Sequence, residues 1–280
     1  MKIPNYPRIY VFLLVAFLVI LLGDSGNATT GHATPINQKN LQKIAKIQCG
    51  KSHPLRFVVL GDSRSNPKIF SQIINLTNSL KPDFVIHTGD IVEKGEKSEF
   101  DKVRPLFNQF NAPILAVPGN HDFSFTTKKL NNFTNYFGKN EMIVDICGVR
   151  LIMLDNSKGI LTRDQLSRLR NDLNTDDIRM IFMHVPPNPP WPQHTFLTGA
   201  KDLVNMIKET GCEYAFFGHV HGYDHKMIGE KCNAYITGGA GAELGGQGFA
   251  QEIYHVLLVT VDGKKVDVKM VPLEQKKAPK

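Results

Sequence analysis

The chain has 280 residues, 42% of them hydrophobic, and a formal net charge of +7. That length and an ordinary apolar fraction allow one large α/β domain or two small ones, and no long Gly/Ser-rich or Pro-rich linker divides the chain. Much of the positive excess lies at the ends, at Lys2, Arg8, Lys276, Lys277 and Lys280, so it reads as solvated tails and no nucleic-acid-binding face is expected from it.

At the N-terminus, Lys2 and Arg8 precede an unbroken apolar run over residues 9–22. The run suits a signal-peptide core better than a bilayer-spanning helix, which needs about 20 residues. Gly26-Asn27-Ala28 supplies small residues for cleavage; an uncleaved membrane anchor is the alternative. Either way the body is expected to be exported, to a periplasm or the cell exterior. Residues 1–28 therefore read as signal peptide or N-terminal anchor, 29–53 as a tether with a short helix over residues 40–47, 54–273 as the main folded domain and 274–280 as a basic tail. In an oxidising compartment Cys49, Cys147, Cys212 and Cys232 can form two disulfides. Each lies shortly before an apolar strand, and neighbouring strand starts suggest the pairs Cys49–Cys147 and Cys212–Cys232.

The first predicted strand, Leu55–Leu60, is followed by Asn66-Pro67, an N-cap with proline at the first helical position. Ile69, Phe70, Ile73, Ile74 and Leu80 then keep a helical period. A second strand begins at Phe84, and Phe100, Val103, Leu106, Phe107 and Phe110 mark an amphipathic helix over residues 96–110. The third strand starts at Ile114. Residues 123–138 read as a loop or short helices over the strand ends. Met142–Ile146 and residues 149–154 flank Cys147-Gly148 as a hairpin. Thr162 caps a helix, with Gln165 three residues on. A strand at residues 180–184 leads to a proline-rich loop holding Trp191 and His194, and residues 201–210 form a helix. From Glu213 the chain turns mostly β, closing with a hairpin at Asp262-Gly263. A βαβ-like first half and a β-rich second half suggest two packed sheets with helices outside.

Six apolar runs end in polar groups. Leu60 is followed by Gly61-Asp62-Ser63-Arg64, Thr88 by Gly89-Asp90, and Pro118 by Gly119-Asn120-His121-Asp122. Leu154 leads into Asp155-Asn156, Met183 into His184, and Phe217 into Gly218-His219-Val220-His221. Open α/β sheets place ligands at the carboxyl ends of their strands. Carboxylate, amide oxygen and imidazole together suit Mn, Fe or Zn.

The ordered set Gly61-Asp62, Gly89-Asp90, Gly119-Asn120-His121-Asp122, His184 and Gly218-His219-Val220-His221 resembles the calcineurin-like metallophosphoesterase superfamily over residues 55–260 or so. The resemblance implies a four-layer α/β/β/α sandwich of two mixed sheets flanked by helices, with a dinuclear centre between them. It implies Asp62 and His221 on one metal, Asn120, His184 and His219 on the other, and Asp90 bridging both. His121 then sits beside the leaving group. Two cations about 3.5–4 Å apart neutralise phosphate charge and acidify a bridging water. An imidazole near neutrality protonates the leaving alkoxide. Asp122 either orients an imidazole or is a structural carboxylate.

One position departs from the pattern. Arg64 stands where the superfamily usually has a histidine ligand, and a guanidinium cannot coordinate a cation. The first site is thus expected to be the weaker. Arg64 either forks onto a substrate phosphate oxygen, the favoured expectation, or pairs with a nearby carboxylate. His87 reads as a core histidine, His194 as a surface one, and Asn156 as a support at the rim. Gly238-Gly239-Ala240-Gly241 allows close backbone approach or is a plain turn, and His255 has no assigned role. The leading expectation is an exported metal-dependent phosphoesterase acting on a small phosphorylated substrate. A phosphodiesterase or nucleotide hydrolase, or a binding protein with a degraded centre, are the alternatives.

Overall fold

The computed structural model describes residues 34–50, 53–64, 66–129 and 131–274. The expected signal or anchor segment, and nearly all of the basic tail, lie outside the described residues. In chain order the elements are α1 (Ile36–Ile44), β1 (Leu55–Leu60), α2 (Pro67–Ser79), β2 (Phe84–His87), α3 (Lys97–Phe107), β3 (Ile114–Ala116), α4 (Asn131–Phe137), β4 (Met142–Ile146), β5 (Val149–Met153), α5 (Arg163–Asp172), β6 (Ile178–Phe182), α6 (Ala200–Thr210), β7 (Tyr214–Phe217), β8 (Tyr223–Ile228), β9 (Cys232–Thr237), β10 (His255–Asp262) and β11 (Lys265–Pro272). No helix among the described residues is long and apolar enough to cross a membrane.

Phe57, Val58, Val59 and Leu60 are all buried, although successive side chains of a strand point to opposite faces. Both faces of β1 are therefore covered, and this is why the run is apolar without alternation. The first sheet has the order β11-β10-β1-β2-β3, with β1, β2 and β3 parallel and β10 and β11 antiparallel. The second has the order β4-β5-β6-β7-β9-β8, parallel except at its two edge strands. Phe57, Val59, Phe84 and Leu115 of one sheet pack against Leu151, Met180, Phe182 and Phe216 of the other. Val58 and Val85 face Phe70, Ile74, Phe100 and Phe107 of the helices outside the first sheet. Ile152, Ile181 and Phe217 face Leu169, Leu203 and Ile207 outside the second. Two mixed sheets flanked by helices give the expected four-layer sandwich.

The helix ends follow local chemistry. Asn66 Oδ1 accepts from Ile69 N at 3.1 Å, with Pro67 at the first turn of α2. Thr162 and Gln165 form the reciprocal box that starts α5. Cys49 and Cys147 are joined, at the end of the fold that also holds Leu55 and Val261.

Two expectations need correction. Part of the expected tether folds as α1, whose buried Asn37 and Asn40 face the edge of β3. Asn37 Oδ1 accepts from Ala116 N at 2.9 Å, and its amide donates to Ala116 O at 2.9 Å; Asn40 donates to Ile114 O at 2.8 Å. These amides take the backbone groups that an additional strand would have paired, so residues 34–48 belong to the domain. The second correction is at the cysteines. Cys212 and Cys232 are buried free thiols rather than a bridge, and Cys212 Sγ lies 3.5 Å from Arg179 O and 3.4 Å from Tyr214 O. Cys212 just precedes β7 and Cys232 opens β9, its neighbour, so the sequence-derived proximity is real while the covalent bond is not formed.

Candidate metal centre

The carboxyl ends of β1, β2 and β3 lie side by side, since Leu60 is in register with His87 and His87 with Ala116. The turns after them carry Asp62, Asp90 and Asn120. The turns after β6 and β7 carry His184, His219 and His221 from the other sheet. Three of these residues hold left-handed backbone: Asp62 at φ 60°, Asp90 at φ 58° and His219 at φ 70°. Such conformations cost about 1–3 kcal/mol each and cluster where function needs a side chain aimed against local preference. The glycines make room. A Cβ on Gly119 would stand 2.2 Å from Asp90 Oδ1.

Four ligand-type atoms converge. Asn120 Oδ1 lies 3.0 Å from His184 Nε2 and 2.8 Å from His219 Nδ1; His184 Nε2 lies 3.3 Å from both His219 Nδ1 and Asp90 Oδ1. His184 Nδ1 donates to Thr88 O at 2.9 Å, which leaves a bare lone pair on Nε2. Burial pushes the pKa of both His184 and His219 down to about 3, so both imidazoles are neutral. Lone pairs of an imidazole, an amide oxygen and a carboxylate thus face one another, an arrangement that a shared cation resolves. Asp62 joins the same cluster, its ligand atom within 4.8 Å of those of Asp90 and His184. Burial raises the carboxyls of both Asp62 and Asp90; the Asp90 charge raises Asp62 further, whereas the neighbouring His121, Arg64 and His219 pull Asp90 back down. The donor set fits a divalent metal at this nest.

The position beside it is different. His221 Nδ1 donates to Glu243 O at 2.7 Å, and its Nε2 lies 3.6 Å from Asp62 Oδ1. Arg64 Nη2 lies 3.4 Å from that same Nε2, Arg64 Nε lies 3.3 Å from Asp90 Oδ2, and Nη1 donates to Glu93 Oε2 at 2.5 Å. Of the two roles expected for Arg64, the structure has the ion pair: every edge of the guanidinium meets protein, and the side chain is 14% exposed.

His121 is 22% exposed, with Nδ1 donating to Glu93 O at 2.7 Å, which leaves Nε2 as its second ring nitrogen. Asp122 orients no imidazole. Its Oδ2 accepts from Asp90 N at 3.0 Å and Gly119 N at 2.8 Å, and its Oδ1 from Ile91 N at 2.9 Å and Val92 N at 3.1 Å. Burial and then the Asp90 charge push its carboxyl up to about 8, while these backbone donors pull the other way. It ties the Asp90 turn to the Asn120 turn.

The remaining residues fall into place around this. Asn156 Oδ1 accepts from His184 N and Val185 N, both at 3.0 Å, and so fixes the His184 turn. His87 is a core histidine, bonded to Ser63 Oγ at 2.9 Å and to Gly89 N at 3.1 Å. The glycine run after β9 closes on the Asp62 turn, where Ala240 N donates to Gly61 O at 3.0 Å and Ala242 N to Asp62 O at 2.8 Å. His194 is exposed, on a loop anchored by the Trp191 Nε1 bond to Asp224 Oδ2 at 2.7 Å. Glu93 is the residue that the sequence reading missed. Its only signal is a carboxylate three residues beyond Asp90, and its partner Arg64 is on another turn.

Comparison with known proteins agrees with this geometry. The chain is 30% identical over 136 residues to the glycerophosphodiester phosphodiesterase GpdQ of Enterobacter lignolyticus, a match covering 44% of this chain and 48% of that protein. It is 25% identical over 152 residues to the 3',5'-cyclic adenosine monophosphate phosphodiesterase CpdA of Haemophilus influenzae, covering 50% and 54%. The chain spans about half the length of these curated relatives. Among solved structures, purple acid phosphatase PPD1 of yellow lupin superposes with a TM-score of 0.66 at 15% identity, over 79% of this chain and 52% of that one, which speaks to fold alone. The family model for calcineurin-like phosphoesterases matches residues 55–223, more than half of the chain and every turn described above from Asp62 to His221, and the chain belongs to that family.

Proposed function

We propose that this chain hydrolyses phosphoric esters, with phosphodiesters as the substrate class, at a metal held by Asp90, Asn120, His184 and His219. The observation that carries the reading is the nest itself: neutral imidazole, amide and carboxylate lone pairs turned on one another within about 3 Å. Bound by these four side chains, a divalent cation would supply Lewis acidity for water activation and offset phosphate charge. The protein's own groups do the rest. His121, its Nδ1–H held by the Glu93 carbonyl, presents Nε2 to the leaving-group oxygen and, in its imidazolium form, gives the Nε2 proton to it, ending as neutral imidazole. Asp122 fixes the backbone that aims Asp90, and Asn156 the backbone that aims His184. Arg64 adds fixed positive charge beside the phosphoryl group. The diester class is supported by the names of the relatives, which are phosphodiesterases.

The resemblance also implies a second metal, and the side chains around His221 support it less well than those of the nest. Export is part of the proposal. Its support is the basic and apolar pattern of residues 2–22 and the Cys49–Cys147 bond, which persists in oxidising compartments. The test is an assay with bis-nitrophenyl phosphate and nitrophenyl phosphate after loading with Mn(II). Faster turnover of the diester is expected. Activity on the monoester alone would reassign the substrate class, and activity on neither, in a metal-loaded protein, would leave a binding role as the surviving account.

A further inference from the structure

We infer that this chain takes a single metal ion, in the Asp90–Asn120–His184–His219 nest, and that the Arg64 guanidinium is a built-in cation standing where the second ion of the implied pair would bind. The inference rests on reading the nest as a metal centre.

His221 is the first reason. Its Nδ1–H is committed to Glu243 O, so Nε2 has one lone pair to offer, and Arg64 Nη2 sits 3.4 Å from it. A metal on that lone pair would lie at about 2.0–2.1 Å, on the side the guanidinium fills. Asp90 is the second reason. One of its oxygens, Oδ1, faces His184 Nε2 at 3.3 Å; the other, Oδ2, faces Arg64 Nε at 3.3 Å. The carboxylate still bridges two cations, but one of them is covalently part of the chain.

Arg64 cannot give way by losing its proton, because guanidinium stays charged at any working pH. It can give way only by swinging out, which breaks its pairing with Asp90 and with Glu93 Oε2 at 2.5 Å. Its backbone is tied as well, Arg64 N donating to Asp90 O at 3.2 Å. A phosphoryl group entering above Asp90 then has the nest on one side and the fixed charge of the paired guanidinium on the other.

The test is metal counting, which does not depend on turnover. The protein is stripped with chelator, reloaded with Mn(II) and freed of excess ion. Bound manganese is measured by mass spectrometry and the spin state by electron paramagnetic resonance. One ion per chain is expected, with the hyperfine pattern of isolated Mn(II). His184→Ala should lose it and His221→Ala should keep it. Arg64→His supplies an imidazole in place of the guanidinium and should bind two ions with an exchange-coupled spectrum. Arg64→Gln, of similar reach without the charge, should also admit a second ion and guards against misfolding of the histidine variant. Two coupled ions in the native protein, or loss of the single ion in His221→Ala, overturns the inference while leaving a metal centre in place. A count of one in both Arg64 variants shows that Arg64 is not what excludes the second ion and overturns it too. No bound manganese in any variant removes the metal reading itself, a distinct failure.

Discussion

At Asp122 four backbone donors from two turns meet one buried carboxylate, and removing it would leave Asp90 N, Gly119 N, Ile91 N and Val92 N without their acceptor. Asp122→Ala is expected to destabilise the fold by about 3–5 kcal/mol, read as a lower urea midpoint, with a smaller loss in Asp122→Asn, which keeps one acceptor oxygen. Equal midpoints in wild type and alanine variant would contradict the clamp. His121→Ala should keep its metal and lose rate, by about 10²–10⁴-fold for alkyl esters and less for nitrophenyl esters, whose leaving groups need no proton. Equal slowing of both substrate types would remove His121 as the acid. His255 tests burial. Its Nδ1 donates to Ile253 O at 2.9 Å, and burial lowers its pKa from 6.5 to about 4. Between those values the unfolded chain binds the proton and the folded chain does not, so stability is complete above pH 6.5 and declines as pH falls towards 4. The loss amounts to about 3 kcal/mol by pH 4 at 1.36 kcal/mol per pKa unit. Thermal melts of His255→Leu should therefore be less acid-sensitive than wild type across that window; parallel melting curves would count against it.

At the scale of elements, strands and site turns were legible for the same reason. A strand covered on both faces must be apolar throughout, so its end is visible as the first polar residue, and Asp62, Asp90, Asn120, His184 and His219 all stand just beyond such an end. Helix starts at Asn66 and Thr162 were legible because capping is local. What escaped was chemistry between distant turns. Arg64 meets Glu93, and Asp122 meets backbone, through loop paths that no periodicity encodes. Helix α1 was legible only as a short helix over residues 40–47; its earlier start and its docking escaped because they rest on two asparagines whose partners lie 79 and 74 residues away. Asn37→Ala leaves Ala116 N and Ala116 O unpaired at a buried sheet edge and is expected to cost about 1–3 kcal/mol. Hydrogen exchange should show the Ala116 amide opening faster, while the amides of β6 stay protected; an unchanged Ala116 amide would mean that α1 does not seal the edge.

At the scale of the molecule, one cross-link and one cation nest define the two ends of the sandwich. Cys49 and Cys147, 98 residues apart, tie α1 and β1 to the β4–β5 hairpin. Cys49→Ala with Cys147→Ala should cost about 3–4 kcal/mol of stability without altering bound metal. Peptide mapping under non-reducing conditions should find that bridge, with Cys212 and Cys232 as thiols. The two sheets themselves exist as a functional unit only where their strand ends meet, since Asp90 and Asn120 come from one sheet and His184 and His219 from the other. Hydrolysis of bis-nitrophenyl phosphate by chelator-treated protein, titrated with Mn(II) alongside Asp90→Asn, tests that union most directly. The expected result is no turnover without metal, saturable recovery in the wild type, and a loss of more than about 100-fold in Asp90→Asn together with lower bound manganese. Turnover that persists after chelation, or an Asp90→Asn protein with wild-type rate and metal content, would contradict it.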